Sequence, residues 1–142
     1  ADNIVVIDRN MSAAELAALY LKADVVMSLH RSEGFGLVLA EAMLRGLPVV
    51  ATDWSGNVDF LTAETGVPIP YRLVPAADPQ GTYDHPQMGW AEADVDEAAA
   101  ALKRCRDDRA LGATLGRAAA RFAARTWTAE AYVGTVRRHL GL

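Results

Sequence analysis

Four short apolar runs, Ile4–Ile7, Val25–Leu29, Val49–Ala51 and Val67–Ile69, alternate with stretches of helical periodicity over the first half of the chain. That alternation constrains the fold more than any other feature. Runs of this length separated by helices predict βαβ units, which build an α/β fold: a Rossmann-like parallel sheet with flanking helices. The first run leads to Ser12 and Glu15, spaced as a capping box that opens a helix through about Lys22, with Leu16, Leu19 and Tyr20 turned inward. The second leads to a helix that begins near Leu37 and stops at Gly46, with Pro48 just beyond. A helical turn near Val58–Leu61 precedes the fourth run.

From Tyr71 to Trp90 the pattern breaks. Prolines at 75, 79 and 86, with Gly81 and Gly89, predict a long loop, and loops of this length in a compact domain are usually functional or mobile. Three helices follow. Asp94 and Glu97 cap the first, an alanine-rich stretch to about Arg106. Asp108 starts the second, with Leu111, Leu115, Ala118 and Phe122 on one stripe. Thr128 starts the third, with Val133, Val136 and Leu140 inward. Stripes of this kind are core-facing in the simplest reading.

A chain of 142 residues supports one domain with a real core. Half of it is apolar, yet no run approaches the ~20 residues that cross a bilayer. The opening A-D-N-I-V-V-I lacks the basic region and cleavage site of a signal peptide and begins at an expected strand, as a segment of a longer protein would. The lone Cys105 excludes an internal disulfide and a cysteine-rich zinc site, and fits a reducing, cytoplasmic setting. Net charge is −4 and the arginines are scattered, mostly along the C-terminal helices, so a nucleic-acid partner is not expected. His30, His85 and His139 are dispersed, and no metal site is expected.

The chemistry concentrates in residues 33–41, E-G-F-G-L-V-L-A-E. Gly34 and Gly36 allow backbone to approach a ligand with no Cβ in the way. The helix from Leu37 presents free N–H groups and the positive end of its dipole to whatever lies over the turn. Glu33 precedes the turn and Glu41 lies about one helical turn beyond it. An extended ligand with hydroxyls at both ends and phosphate between them could touch all three. In open α/β sheets ligands sit outside the carboxyl ends of the strands, and this turn follows the second run. Glu33 also has a plainer reading, a carboxylate near a helix N-terminus, and Glu41 one on a solvated face.

These residues resemble a known family: the C-terminal half of retaining glycosyltransferases of the two-Rossmann-domain GT-B architecture, a group that includes bacterial polysaccharide and lipid glycosyltransferases. The resemblance runs through V-V-I-D-R-N-M-S-A-A-E-L-A-A-L-Y-L-K-A-D-V-V-M-S-L-H, E-G-F-G-L-V-L-A-E-A-M-L-R-G-L-P-V-V-A-T-D, S-G-N-V-D-F-L and R-F-A-A-R-T-W-T-A-E. Two glutamates separated by seven residues, with G-F-G behind the first and E-A-M at the second, carry its signature, and the 71–90 loop is the main departure. The resemblance implies a single Rossmann-like donor-binding domain over residues 1–142, partial in extent, with the N-terminal acceptor domain and the start of the C-terminal domain lying elsewhere.

By position, the resemblance implies that Glu33 binds donor-sugar hydroxyls next to the reacting carbon, the catalytic end of the site. It assigns the sugar and diphosphate to the backbone N–H groups of Gly34, Phe35, Gly36 and Leu37, with Val38 adding another. Glu41 matches the glutamate that binds the ribose hydroxyls, and Met11 lies where the family's backbone meets the nucleobase. Asn57 and Asp59 fall near the sugar edge, with a turn residue and a helix cap as their plain readings. The implied reaction is transfer of a sugar from a nucleotide diphosphate with retention, without metal or other cofactor. Membrane association of the full-length protein stays open. The family's arginine and lysine for the diphosphate have no counterpart: Lys22 and Lys103 fall on expected helices, and Arg31 does not match. The two glutamates hold opposite ends of one donor and are not a glycosidase acid/base pair. A nucleotide-sugar epimerase-like domain and a non-catalytic α/β binding module are the competing readings.

Overall fold

The computed structural model describes residues 3–83, 85 and 87–141. In chain order the elements are α1 (Ala13–Lys22), β1 (Val26–Ser28), α2 (Leu37–Leu44), β2 (Val49–Thr52), a 3-10 helix (Ser55–Asp59), β3 (Val67–Ile69), β4 (Tyr71–Pro75), β5 (Gly89–Ala93), α3 (Val95–Asp107), α4 (Arg109–Thr126) and α5 (Ala129–Leu140). β1, β2 and β3 form a parallel sheet in that order, with Val26 opposite Val49 and Val50 opposite Val67. The expected α/β class holds.

β2 is the middle strand, and all four of its residues are buried, as a parallel strand covered on both faces requires. Its side chains alternate between two cores. Val49 and Ala51 pack with Tyr20 of α1, Leu39 and Met43 of α2, and Ala119 of α4. Val50 faces the other way, against Ile69 of β3 and Ala98 and Ala101 of α3. The capping signals are met residue for residue. The Ser12 hydroxyl accepts from the Glu15 N–H, and the Glu15 carboxylate accepts from the Ser12 N–H. The Asp94, Asp108 and Thr128 side chains cap α3, α4 and α5.

Four expectations are corrected. Ile4–Ile7 is not a strand: its residues are 70%, 85%, 81% and 45% exposed. β1 pairs with β2 on one side only, so among the described residues no neighbour accepts a ladder from that run. Leu16 and Leu19 of α1 are exposed, and only Tyr20 of that helix is buried. α5 likewise buries none of its residues fully, and its Val133 and Leu140 are exposed. Finally, 71–90 is not one loop. β4 and β5 pair antiparallel, Tyr71 opposite Ala93 and Pro75 opposite Gly89. Of the prolines that suggested a loop, Pro75 ends β4 and Pro79 lies in the connection beyond it. Among the described residues no helix is long and apolar enough to cross a membrane.

Candidate functional site

The stretch from Leu29 to Gly36 leaves the carboxyl end of β1 and turns into α2. Gly36 makes that turn with φ +89°, a conformation in which a side chain is strained, and it offers no side-chain cap. The first helical bond here runs from the Ala40 N–H to the Gly36 carbonyl at 3.0 Å. Among the described residues no acceptor meets the N–H groups of Gly34 through Leu39, so a row of unpaired donors stands where the α2 dipole is positive. A Cβ on Gly34 would meet nothing within 4 Å. Phe35 is held from beneath by Phe60 and Trp127, with ring centroids 5.1 and 5.9 Å away.

The turn is laced to the segment after β2. The Ser55 hydroxyl accepts from the Glu33 N–H at 3.2 Å and donates to the Glu33 carbonyl at 2.5 Å. The Gly56 N–H donates to the same carbonyl at 3.1 Å. Deeper in, Thr52 Oγ1 donates to the His30 carbonyl and the Asn57 amide donates to the Thr52 carbonyl. That orientation turns Asn57 Oδ1 toward His30 Nε2, 2.9 Å away, so Nε2 carries the proton. Nδ1 is then the acceptor for the Ser28 hydroxyl at 3.2 Å. Asn57 is fully buried with its amide nitrogen and oxygen both hydrogen-bonded, and it ties the 3-10 helix to β2 and His30, which is more than its plain reading as a turn residue. Asp59 ends the 3-10 helix and is exposed; its cap reading fails, because no side chain caps that helix.

Glu41 lies half-buried on α2. Arg45 Nη1 donates to its carbonyl at 2.8 Å and stands 3.6 Å from its carboxylate. The Arg45 guanidinium also covers the Tyr20 ring at 4.5 Å, and the Tyr20 hydroxyl donates to the Val38 carbonyl at 3.3 Å. Burial pushes the Tyr20 phenol above its ordinary pKa, and the nearby Glu41 carboxylate adds to that. Glu33, Gly34, Phe35, Gly36, Leu37 and Val38 thus form one continuous turn, with Glu41 beyond it on the same helix. Met11 is half-buried, just before the Ser12 cap of α1.

Beside the turn stands the β4–β5 pair. The Ala91 N–H donates to the Arg31 carbonyl at 3.0 Å, and the Arg31 guanidinium lies 5.4 Å from the Trp90 ring centre. Among the described residues, cavities of about 480, 460 and 520 Å³ lie elsewhere, and none of these is lined by the Glu33–Leu37 turn. The largest role missed from the sequence is that of Ser55 and Gly56. The S-G dipeptide after the third apolar run is a turn signal, but nothing local says which residue it holds.

The sequence pattern of the family described as Glycosyl transferases group 1 matches residues 1–86. The chain belongs to that family. This group 1 glycosyltransferase chain is 34% identical over 148 residues to the D-inositol 3-phosphate glycosyltransferase of Pseudarthrobacter chlorophenolicus, covering 99% of the chain and 30% of the relative. It thus spans about a third of the length of that curated relative. Sucrose-phosphate synthase from Thermosynechococcus elongatus superposes with TM-score 0.63 at 29% identity, over 89% of this chain and 27% of that one. The C-terminal domain of a group 1 glycosyl transferase from Francisella tularensis superposes with TM-score 0.65 at 18% identity, over 87% and 53%. The last likeness establishes a shared fold. The expected architecture, the C-terminal half of a GT-B glycosyltransferase, stands.

Proposed function

We propose that this chain is the donor-binding half of a retaining glycosyltransferase, which moves a hexosyl-type sugar from a nucleotide diphosphate to a glycan, lipid or other acceptor. One observation carries the reading: a row of unbonded N–H groups at the start of α2, open space above Gly34, and a glutamate on either side. The diphosphate would lie over the row, where donors and dipole meet negative charge as it develops on the leaving group. Glu33 would take hydroxyls of the sugar. Glu41 would take the two vicinal ribose hydroxyls, each donating to the carboxylate. Met11 would lie toward the base. Membership of the group 1 family supports the reaction class.

In this reading the site is a half-cleft. Its acceptor wall and the basic residues that complete the diphosphate site come from other parts of a longer protein, and no metal or cofactor is required. The free edge of β1 and the exposed Ile4–Ile7 run support such a continuation. A cytoplasmic site of action belongs to the same proposal, supported by the lone free Cys105.

The test is a thermal-shift panel over UDP, GDP, ADP and dTDP. Stabilisation by one of them is expected, and it also names the base. No shift with any, in the full-length protein, would favour a non-catalytic module and overturn the reading. The 142-residue chain alone is expected to bind weakly and transfer nothing; robust transfer by it would refute the half-site.

A further inference from the structure

Among the described residues, Ser55 alone of the non-glycines holds a positive φ, +75°. Such conformations persist only where the surroundings over-determine them, and they gather at functional sites. Here the surroundings are the peptide groups of Glu33. The Ser55 hydroxyl bonds both the N–H and the carbonyl of that residue, and Gly56 bonds the carbonyl again. Gly56 is pressed so closely under the turn that a Cβ on it would run into the Gly34 carbonyl. None of these bonds uses the Glu33 carboxylate. They fix the backbone from which it projects and leave its oxygens free.

We propose that Ser55 is a positioning residue for sugar recognition: its hydroxyl fixes Glu33, so Ser55 sets the preference for a sugar-bearing nucleotide without touching the sugar. This rests on the donor-site reading above. The strained backbone is the consequence of bringing a hydroxyl, rather than a bare glycine, under the turn. A glycine at 55 would take the same φ without strain but would leave the Glu33 peptide groups with one bond in place of three.

The experiment compares UDP with UDP-glucose, GDP with GDP-mannose, ADP with ADP-glucose and dTDP with dTDP-glucose, by titration calorimetry on the full-length protein. Wild type is expected to bind the sugar-nucleotide of one pair more tightly than the bare diphosphate. Ser55→Ala removes the hydroxyl, and Ser55→Gly removes both hydroxyl and strain. Both are expected to lose about tenfold in that preference, the size of one or two net hydrogen bonds, with bare diphosphate affinity unchanged. Glu33→Gln is expected to lose the preference as well. If Ser55→Ala fails to fold, Ser55→Gly carries the test, since it relaxes the backbone.

Equal weakening of both ligands by the Ser55 variants would mean a merely structural role and overturn the proposal. So would an unchanged preference when Glu33→Gln loses it. An unchanged preference in Glu33→Gln, or no binding by wild type, would instead overturn the donor-site reading, and this inference with it.

Discussion

Gly34 separates a ligand requirement from a folding requirement. Its φ is ordinary and the space beside it is open, so the protein itself places no demand for glycine there. Gly34→Ala is therefore expected to leave the melting temperature unchanged while weakening nucleotide-sugar binding; equal binding by calorimetry would remove this face of the turn from the site. Glu41→Ala is expected to cost roughly 1–3 kcal/mol of nucleotide affinity through the ribose, read by the same titration. Asn57 is the opposite case, where the demand is wholly internal. It is fully buried between His30 and the Thr52 carbonyl. Asn57→Ala would take the amide from the buried Thr52 carbonyl and leave His30 Nε2 with the Trp54 carbonyl alone, 3.1 Å away, and should lower stability by about 1–3 kcal/mol in urea unfolding. The resemblance put Asn57 near the sugar edge, and nothing in the sequence paired it with His30. Their bond joins residues 27 positions apart, and no local signal carries that distance.

Helix starts behave differently, because a cap and its target lie within three residues of each other. The Ser12–Glu15 box was fully readable, and the structure adds the Arg9 guanidinium, 2.7 Å from the Glu15 carboxylate. Arg9 first, then the Ser12 N–H and hydroxyl, hold Glu15 from its ordinary 4.5 down to about 2. The sign follows from linkage: the folded state holds this carboxyl deprotonated more readily than the unfolded chain does. Its contribution is present above about pH 4.5 and is lost as pH falls toward 2. The stability difference between wild type and Glu15→Gln, measured by thermal melts, should therefore shrink across that window. The strand elements were less certain. β4 and β5 needed each other across a 13-residue connection, and the prolines and glycines between Tyr71 and Trp90 pointed to a loop.

The whole chain has one finished side and one open side. β2 is buried on both faces, whereas among the described residues β1 has no partner along its outer edge and Ile4–Ile7 stand in solvent. Unpaired edges of this kind invite pairing. If the sheet continues in a longer protein, as proposed, Val5 and Val6, 85% and 81% exposed here, are buried there. Replacing both with threonine should leave the melting temperature of the 142-residue chain unchanged and lower that of the full-length protein. Unchanged melting in both would show that this run packs against nothing.

The sequence by itself determined the α/β class, the order of the helices, every long helix's cap and the position of the E-G-F-G turn at the end of a strand. Each rests on interactions between near neighbours or on a repeated apolar period. Tertiary structure alone decided that Ile4–Ile7 is no strand, that Tyr71 pairs with Ala93, and that Ser55 holds Glu33 from 22 residues away. A ladder or a hydroxyl contact of that range exists only where the fold returns the chain to the same place.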